Sequence, residues 1–428
     1  MSDHCMAPLR TVLLADDDGM LQVILATHDL LDLQQLEQAT GRTLTPPARQ
    51  DILRAHRQHK LASIADSRHC LALPTLIDHH LLDHGDCCIE PDGVSLDQIC
   101  RALKEAGLTV QHLECSVSAT ELHHQLPDPT LDLAQIHNSV KQFTTRRIRQ
   151  RLDDTLEIPP LSPTAERILQ LRSNPHATAD ELTAIVESDP SLAAQVVSWA
   201  SSPYYAAPGR VSSVRDAIVR VMGFELVSNL TLGLILGKAI AIPADRRTGI
   251  LPYWAQAAYC SLAVEALARL MPPGQRPRQG LLYLTGLLHN FGYLVLAHTF
   301  PPHFEIICRY TEANPTISHI ALEQHLIGIS REQIGAWLLH TWRMPDELVT
   351  ALRHQHDAEY AGPHAVYANL IYMALRLLHK HDIGSAPATP IPPEMFQRHG
   401  LDAAQCREVV AQLVQSDDAA RVAEQINA

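Results

Sequence analysis

The chain has 428 residues, with 34 Lys plus Arg against 47 Asp plus Glu, a formal charge of −13. That length holds roughly two to four domains, and an apolar share of 46% excludes disorder over most of it. The acidic balance argues against a general affinity for nucleic acid, because phosphate binding is driven by Lys and Arg displacing counterions.

Residues 1–115 alternate short apolar runs with turns. Arg10 to Ala15 and Leu21 to Ala26 flank Asp16-Asp17-Asp18-Gly19, a hairpin signal. Asp32 to Thr40 reads as a helix closed by Gly41, and Leu96 to Ala106 as a second closed by Gly107. Thr75 to Leu82 and Cys87 to Ile89 are shorter strand candidates. The zone is expected to be a small α/β domain.

Residues 116–157 form a connector. After Pro127 and Pro129, a helix is expected from about Leu131 to Leu152, with Ile136, Val140 and Phe143 on one face. Arg146, Arg147, Arg149 and Arg151 make its far half basic. That half is either a contact for an acidic partner or a phosphate backbone, or a solvated face balanced by Asp153 and Asp154.

Residues 158–428 read as helix after helix, and no strand is expected there. Ser162 before Pro163 is an N-cap followed by Pro at the first helical position. Thr178 with Glu181, and Ser330 with Gln333, are capping boxes. Asp189-Pro190 opens a helix whose inner face is Leu192, Val196 and Trp199. Leu226 to Ile242 is apolar but carries Asn229, Thr231 and Lys238, so a buried helix is expected rather than a membrane span. A helical domain over 158–380 and a helical extension over 381–428 complete the expected α+β multidomain fold.

Nine cysteines without a C-x-x-C pair read as reduced thiols. Asp3 and Asp16 to Asp18 interrupt any signal-like apolar run, so a cytoplasmic location is expected, with no membrane partner. No phosphate-loop, dinucleotide or G-x-S-x-G motif occurs.

Gly286 to Leu294, GLLHNFGYL, resembles the G-L-L-H-D-I-G segment of the HD metal-dependent phosphohydrolases. Ile158 to Leu171, Asp189 to Tyr205, Ser212 to Leu230 and Ile334 to Asp357 narrow the resemblance to the HD-related output domain, HDOD, of bacterial signalling proteins. The HD resemblance implies four metal ligands that activate a water. His289 matches one. Asn290 stands where the family has Asp, Gln256 on the helix that should supply the first histidine, and Asn369 near the closing Asp. An amide oxygen is neutral and a far weaker ligand than a carboxylate.

Residues 7–115 are similar to YbaK-type aminoacyl-tRNA deacylases, in Arg10 to Leu14, Leu21 to Arg42 and Leu73 to Gly93. Arg10 takes the position of that family's lysine, and Ser63 to Cys70 that of its Gly/Pro loop, with neither residue present. The first expectation is therefore a non-catalytic signalling regulator without metal or other cofactor. It would act through a protein partner or a small polar or nucleotide ligand at His289, Asn290 and Gln256, with the connector and tail as possible homodimer contacts. The rivals are a phosphohydrolase with an atypical ligand set drawn from His289, His340, His354 and His356, and a deacylase dependent on Arg10.

Overall fold

The computed structural model describes residues 7–61, 70–82, 87–89, 93–123, 126–139, 161–201, 205, 209, 211–239, 252–384, 389–416 and 420. The basic cluster Arg146 to Arg151, the helix-face residues Val140 and Phe143, and most of the Ser63 to Cys70 loop lie outside them. Two compact units are formed: one from 1–124 with 302–327, the other from 125–301 with 328–428.

The first unit is built on a six-stranded sheet. β1 (Ala7–Asp16) and β2 (Gly19–Ala26) make the expected hairpin, with Leu9 opposite Ala26 and Asp16 opposite Gly19. β4 (Thr75–Asp78) runs parallel to β2, and β5 (Cys87–Ile89) parallel to β1. β6 (Val94–Ser95) and β7 (Val110–Leu113) close the edges, in the order β6-β5-β1-β2-β4-β7. A separate two-stranded pairing joins β3 (Leu30–Leu31) to β8 (Ser116–Val117). The strand candidate Thr75 to Leu82 stops at Asp78, where His79–Leu82 turns into a short 3-10 helix.

Val23, Ile24 and Leu25 are all fully buried, so β2 is covered on both faces and its run is continuously apolar rather than alternating. Helix α1 (Leu33–Thr40) starts on the Asp32 carboxylate, which accepts from the amides of Gln34 and Gln35, and ends on Gly41 at φ 69°. α2 (Arg49–Gln58) places Ala55 with Leu71 and Leu73. α3 (Leu96–Glu105) packs Ile99, Ala102 and Leu103 on Leu9, Ile24, Ile77 and Ile89.

Two helices from far along the chain complete this unit, α13 (Pro301–Ala313) and α14 (His319–Ile327). Fully buried Asn314 behaves like a strand neighbour. Its Oδ1 accepts from the Leu31 amide (2.7 Å) and its Nδ2 donates to the Leu31 carbonyl (3.1 Å). Tyr310 donates its hydroxyl to Asp32 at 2.6 Å.

The second unit is helical throughout its described residues. The connector contributes α4 (132–139), which buries Ile136 and Ser139. Then come α5 (Pro163–Ser173), α6 (Ala179–Glu187) and α7 (Pro190–Ala200), starting on Ser162, Thr178 and Asp189. Leu192, Val196 and Trp199 face inward as their spacing requires. A short α8 (Val214–Asp216) widens into a π-helical stretch to Met222 and precedes α9 (Phe224–Ala239). The core is α10 (Tyr253–Leu270), α11 (Gln279–Leu288), α12 (Phe291–Thr299), α15 (Arg331–Thr341), α16 (Asp346–His354) and α17 (Ala365–His379). α18 (Pro393–Arg398) and α19 (Ala403–Val414) follow, the latter burying Cys406 and Val410.

One stretch, Gly280–His298, is long and apolar enough to cross a membrane, but 94% of it is buried inside the protein. It is two helices broken at His289-Asn290. The eight described cysteines carry free thiols.

Candidate functional site

The GLLHNFG segment is shaped by its glycines. A Cβ on Gly286 would lie 2.6 Å from the Ser261 Cα of α10. A Cβ on Gly292 would overlap the Arg331 carbonyl at the start of α15. Gly335, one turn further along α15, meets the Gly292 backbone in the same way, its Cβ position 2.8 Å from the Gly292 Cα. Backbone therefore packs on backbone on both sides of the His289-Asn290 corner, and Leu287, Leu288, Phe291 and Leu294 bury its apolar side completely.

His289 is 8% exposed. Its Nδ1 lies 2.7 Å from the Gly286 carbonyl oxygen. A carbonyl only accepts, so Nδ1 carries the hydrogen and Nε2 the lone pair. Burial pulls the imidazole pKa down to about 4 against the opposing pull of that hydrogen bond; the Arg331 charge lowers it further and Glu332 raises it. The ring is neutral at pH 7. The Gln355 amide, just beyond α16, donates to the His289 carbonyl at 2.7 Å.

Asn290 accepts on Oδ1 from Arg331 Nη1 at 3.3 Å. The Arg331 guanidinium lies 5.0 Å above the Tyr293 ring, a cation–π distance. Tyr293 lies parallel to Tyr253 at 6.3 Å, and Tyr253 meets Trp254 edge-on. Beside Arg331, the buried Glu332 carboxylate stands 3.6 Å from His356 Nε2. The sequence pattern singled out His289 and Asn290 but not Arg331, Glu332, Tyr293 or Gln355. Arg331, Glu332 and Gln333 are three polar residues in one helical turn, all buried; the sequence shows the polar run but not the burial that sets it apart.

Gln256 is half-buried on α10, with Oε1 3.9 Å from where a Gly384 Cβ would lie. Asn369 is fully buried on α17, and its Nδ2 pairs with His399 Nε2 at 3.1 Å. The donor set at the four HD positions is thus one imidazole and three amides. One of those amides already holds a guanidinium and another an imidazole. This set does not fit a divalent cation, which needs anionic or several imidazole ligands. The rival histidines disperse. His340 is exposed, His354 faces Asp357 (3.6 Å) and stacks on Tyr360 (3.8 Å), and His356 faces Glu332.

In the first unit, Arg10 is spent on structure. Its guanidinium donates to the Asp29 carbonyl (2.9 Å), the Ala313 carbonyl (3.0 Å) and Asn314 Oδ1 (2.6 Å). Burial pulls its pKa down to about 10. With these bonds Arg10 serves the fold, and its setting gives no support to the deacylase expectation.

The helical scaffold and the broken α11–α12 corner define an HD-like domain. The HDOD domain family matches residues 158–358. A protein from Marinobacter aquaeolei VT8, assigned by name to signal transduction, is 40% identical over all of this chain and 95% of its own, with a TM-score of 0.86. The chain belongs to the HDOD-domain family. An HDOD domain protein from Geobacter sulfurreducens (22% identity, TM-score 0.53, 67% of this chain and 97% of its own) shares the fold. So does a protein from Shewanella amazonensis SB2B named after phosphohydrolases (19%, 0.51, 67% and 98%). An uncharacterized protein of Treponema pallidum (strain Nichols) is 24% identical over 278 residues, 63% of this chain and 50% of its own; the chain spans about half the length of this curated relative. These comparisons give no support to the deacylase resemblance of residues 1–115.

Proposed function

We propose that this chain is a signal-transduction regulator whose HD-derived site binds a small polar ligand or answers to a protein partner, and does not hydrolyse phosphoesters. The observation that carries this reading is the Arg331–Asn290 contact at 3.3 Å. The guanidinium donates to Asn290, the residue that stands where a phosphohydrolase has its metal-binding carboxylate. A divalent cation there would meet a fixed positive charge and a neutral imidazole. What remains is a corner with the amides of Asn290 and Gln355, an arginine and two parallel tyrosines beside it, groups suited to recognising a polar molecule with a planar part.

Elemental analysis of the purified full-length chain tests this together with a chromogenic phosphodiester assay in added manganese. The expected result is no stoichiometric iron, manganese or zinc and no turnover above a His289→Ala control. One equivalent of metal, lost along with diesterase activity in that variant, would replace this reading with the phosphohydrolase. A thermal-shift screen of nucleotides probes the ligand side, with stabilisation absent from Arg331→Met as the expected hit.

A further inference from the structure

Two helices of the second unit, α15 and α16 with the residue that caps its end, each set one residue on the connector and another on the His289 corner. On α15, the Gln333 amide is divided. Its Oε1 caps the helix by accepting the Ser330 amide (2.9 Å), while its Nε2 donates to Asp132 Oδ1 (2.9 Å) and Gln135 Oε1 (2.7 Å) of the connector. Two residues earlier, Arg331 holds Asn290. On α16, Arg353 grips the Asp132 carboxylate through Nε (2.5 Å) and Nη2 (2.9 Å) and also donates to the Pro127 carbonyl (2.6 Å). Two residues later, Gln355 holds the His289 carbonyl.

Gln333 is fully buried and Arg353 is 5% exposed. The Asp132–Arg353 pair is bidentate and charge-assisted, which makes it stronger than the neutral bonds around it. Ile136 and Ser139 seat the next turns of the connector, with Ser139 Oγ 3.2 Å from where a Gly328 Cβ would stand. By contrast, Leu131 and Leu133 are half exposed, so apolar burial alone does not hold the beginning of this segment.

We propose that residues 126–139 are a strap whose docking on α15 and α16 is energetically coupled to the conformation of the His289-Asn290 corner, through Gln333 to Arg331 and through Arg353 to Gln355. This rests on the regulatory reading above and supplies its means. A ligand that re-aims Arg331 or Gln355 loosens the strap. Displacement of the strap, by whatever acts on the chain preceding it, loosens the corner. The coupling is reciprocal, as any binding linkage must be.

Amide hydrogen exchange on the full-length chain tests it without any ligand. Asp132→Asn keeps the shape and removes the charge. It should speed exchange roughly tenfold at 126–139, the worth of one charge-assisted bond, and also speed it at 286–293 and at the first turn of α15. Gln355→Leu should loosen 286–293 and, in return, 126–139. Gln135→Ala, which removes a single hydrogen bond, gives a milder form of the first pattern and serves if Asp132→Asn does not fold. Val410→Ala on α19 controls for general loosening and should leave 126–139 at the wild-type rate. The proposal falls if either strap variant speeds 126–139 alone, if Gln355→Leu leaves 126–139 unchanged, or if Val410→Ala reproduces the pattern. Metal-dependent diesterase activity would end the regulatory reading but would not alter these exchange rates.

Discussion

Arg10 in the first unit and Arg331 in the second are both cations drawn in from solvent, the first at a position that family resemblance marks and the second at one that it does not, and they do different work. Arg10 ends on two backbone carbonyls and on an asparagine that itself pairs with backbone. Its partners are fixed by the chain path, so it is part of the fold. Arg331 donates to the Asn290 side chain and lies over a tyrosine face, partners that can rotate. Bonds to main chain tie Arg10 to the architecture, while the Asn290 bond ties Arg331 to the corner where α11 gives way to α12.

The comparison breaks most visibly at Gly292. Because a Cβ there overlaps the Arg331 carbonyl, Gly292→Ala must separate α12 from α15. The expected cost is about 5 kcal/mol or more, at the upper end for overpacking, read as loss of cooperative thermal unfolding. If this variant is as stable as wild type, the two helices have slack and the site is not held by backbone contact.

Arg10→Met comes next. It removes the donor from two carbonyls and leaves Asn314 Oδ1 with the Leu31 amide alone, in a part-buried setting, at about 3 kcal/mol. The loss should appear in chemical denaturation of the full chain. A variant within 1 kcal/mol of wild type would place Arg10 with the site residues instead.

A smaller effect follows from His289. Its folded pKa of about 4 lies below its ordinary value of 6.5, so the unfolded chain takes up the proton first as pH falls. The stabilising contribution is complete above pH 6.5, declines between 6.5 and 4, and is gone below that, at most about 3 kcal/mol. His289→Gln should flatten the fall in melting temperature across that window. Arg331→Met should move the His289 titration upward by NMR, since the Arg331 charge lowers it. No movement would break the electrostatic link between the two.

The smallest expected effect is at a helix start. Thr178→Ala removes the α6 capping box and should cost about 1 kcal/mol, in line with a purely local role.

How much could be read in advance follows the same division between local and distant causes. The starts at Ser162, Thr178, Asp189 and Ser330, and the stops at Gly41 and Gly107, are matters of a few adjacent residues, and the sequence displays them. The β1–β2 hairpin is local in the same way. The parallel pairings of β4 and β5 depend on long crossovers and left no trace in the strands themselves. Nor did the union of 302–327 with the first unit, because an asparagine completing a distant strand is spelled like any loop asparagine. At the site, His289 and Asn290 stood out through their motif. Arg331 and Gln355 did not, because their importance lies in which helices cross at Gly292.

That late union has a consequence for synthesis. The ribosome releases the β1–β2 hairpin early, but Asn314 and Tyr310, which satisfy Leu31 and Asp32, emerge only after everything from Gln125 to Pro301 has been made. Until then the nascent strands hold unpaired main chain and an unanchored Arg10, a substrate for chaperones and proteases. A messenger truncated ahead of the 302–327 segment would yield no finished first unit, so the cell obtains this unit only together with residues 125–301 of the other.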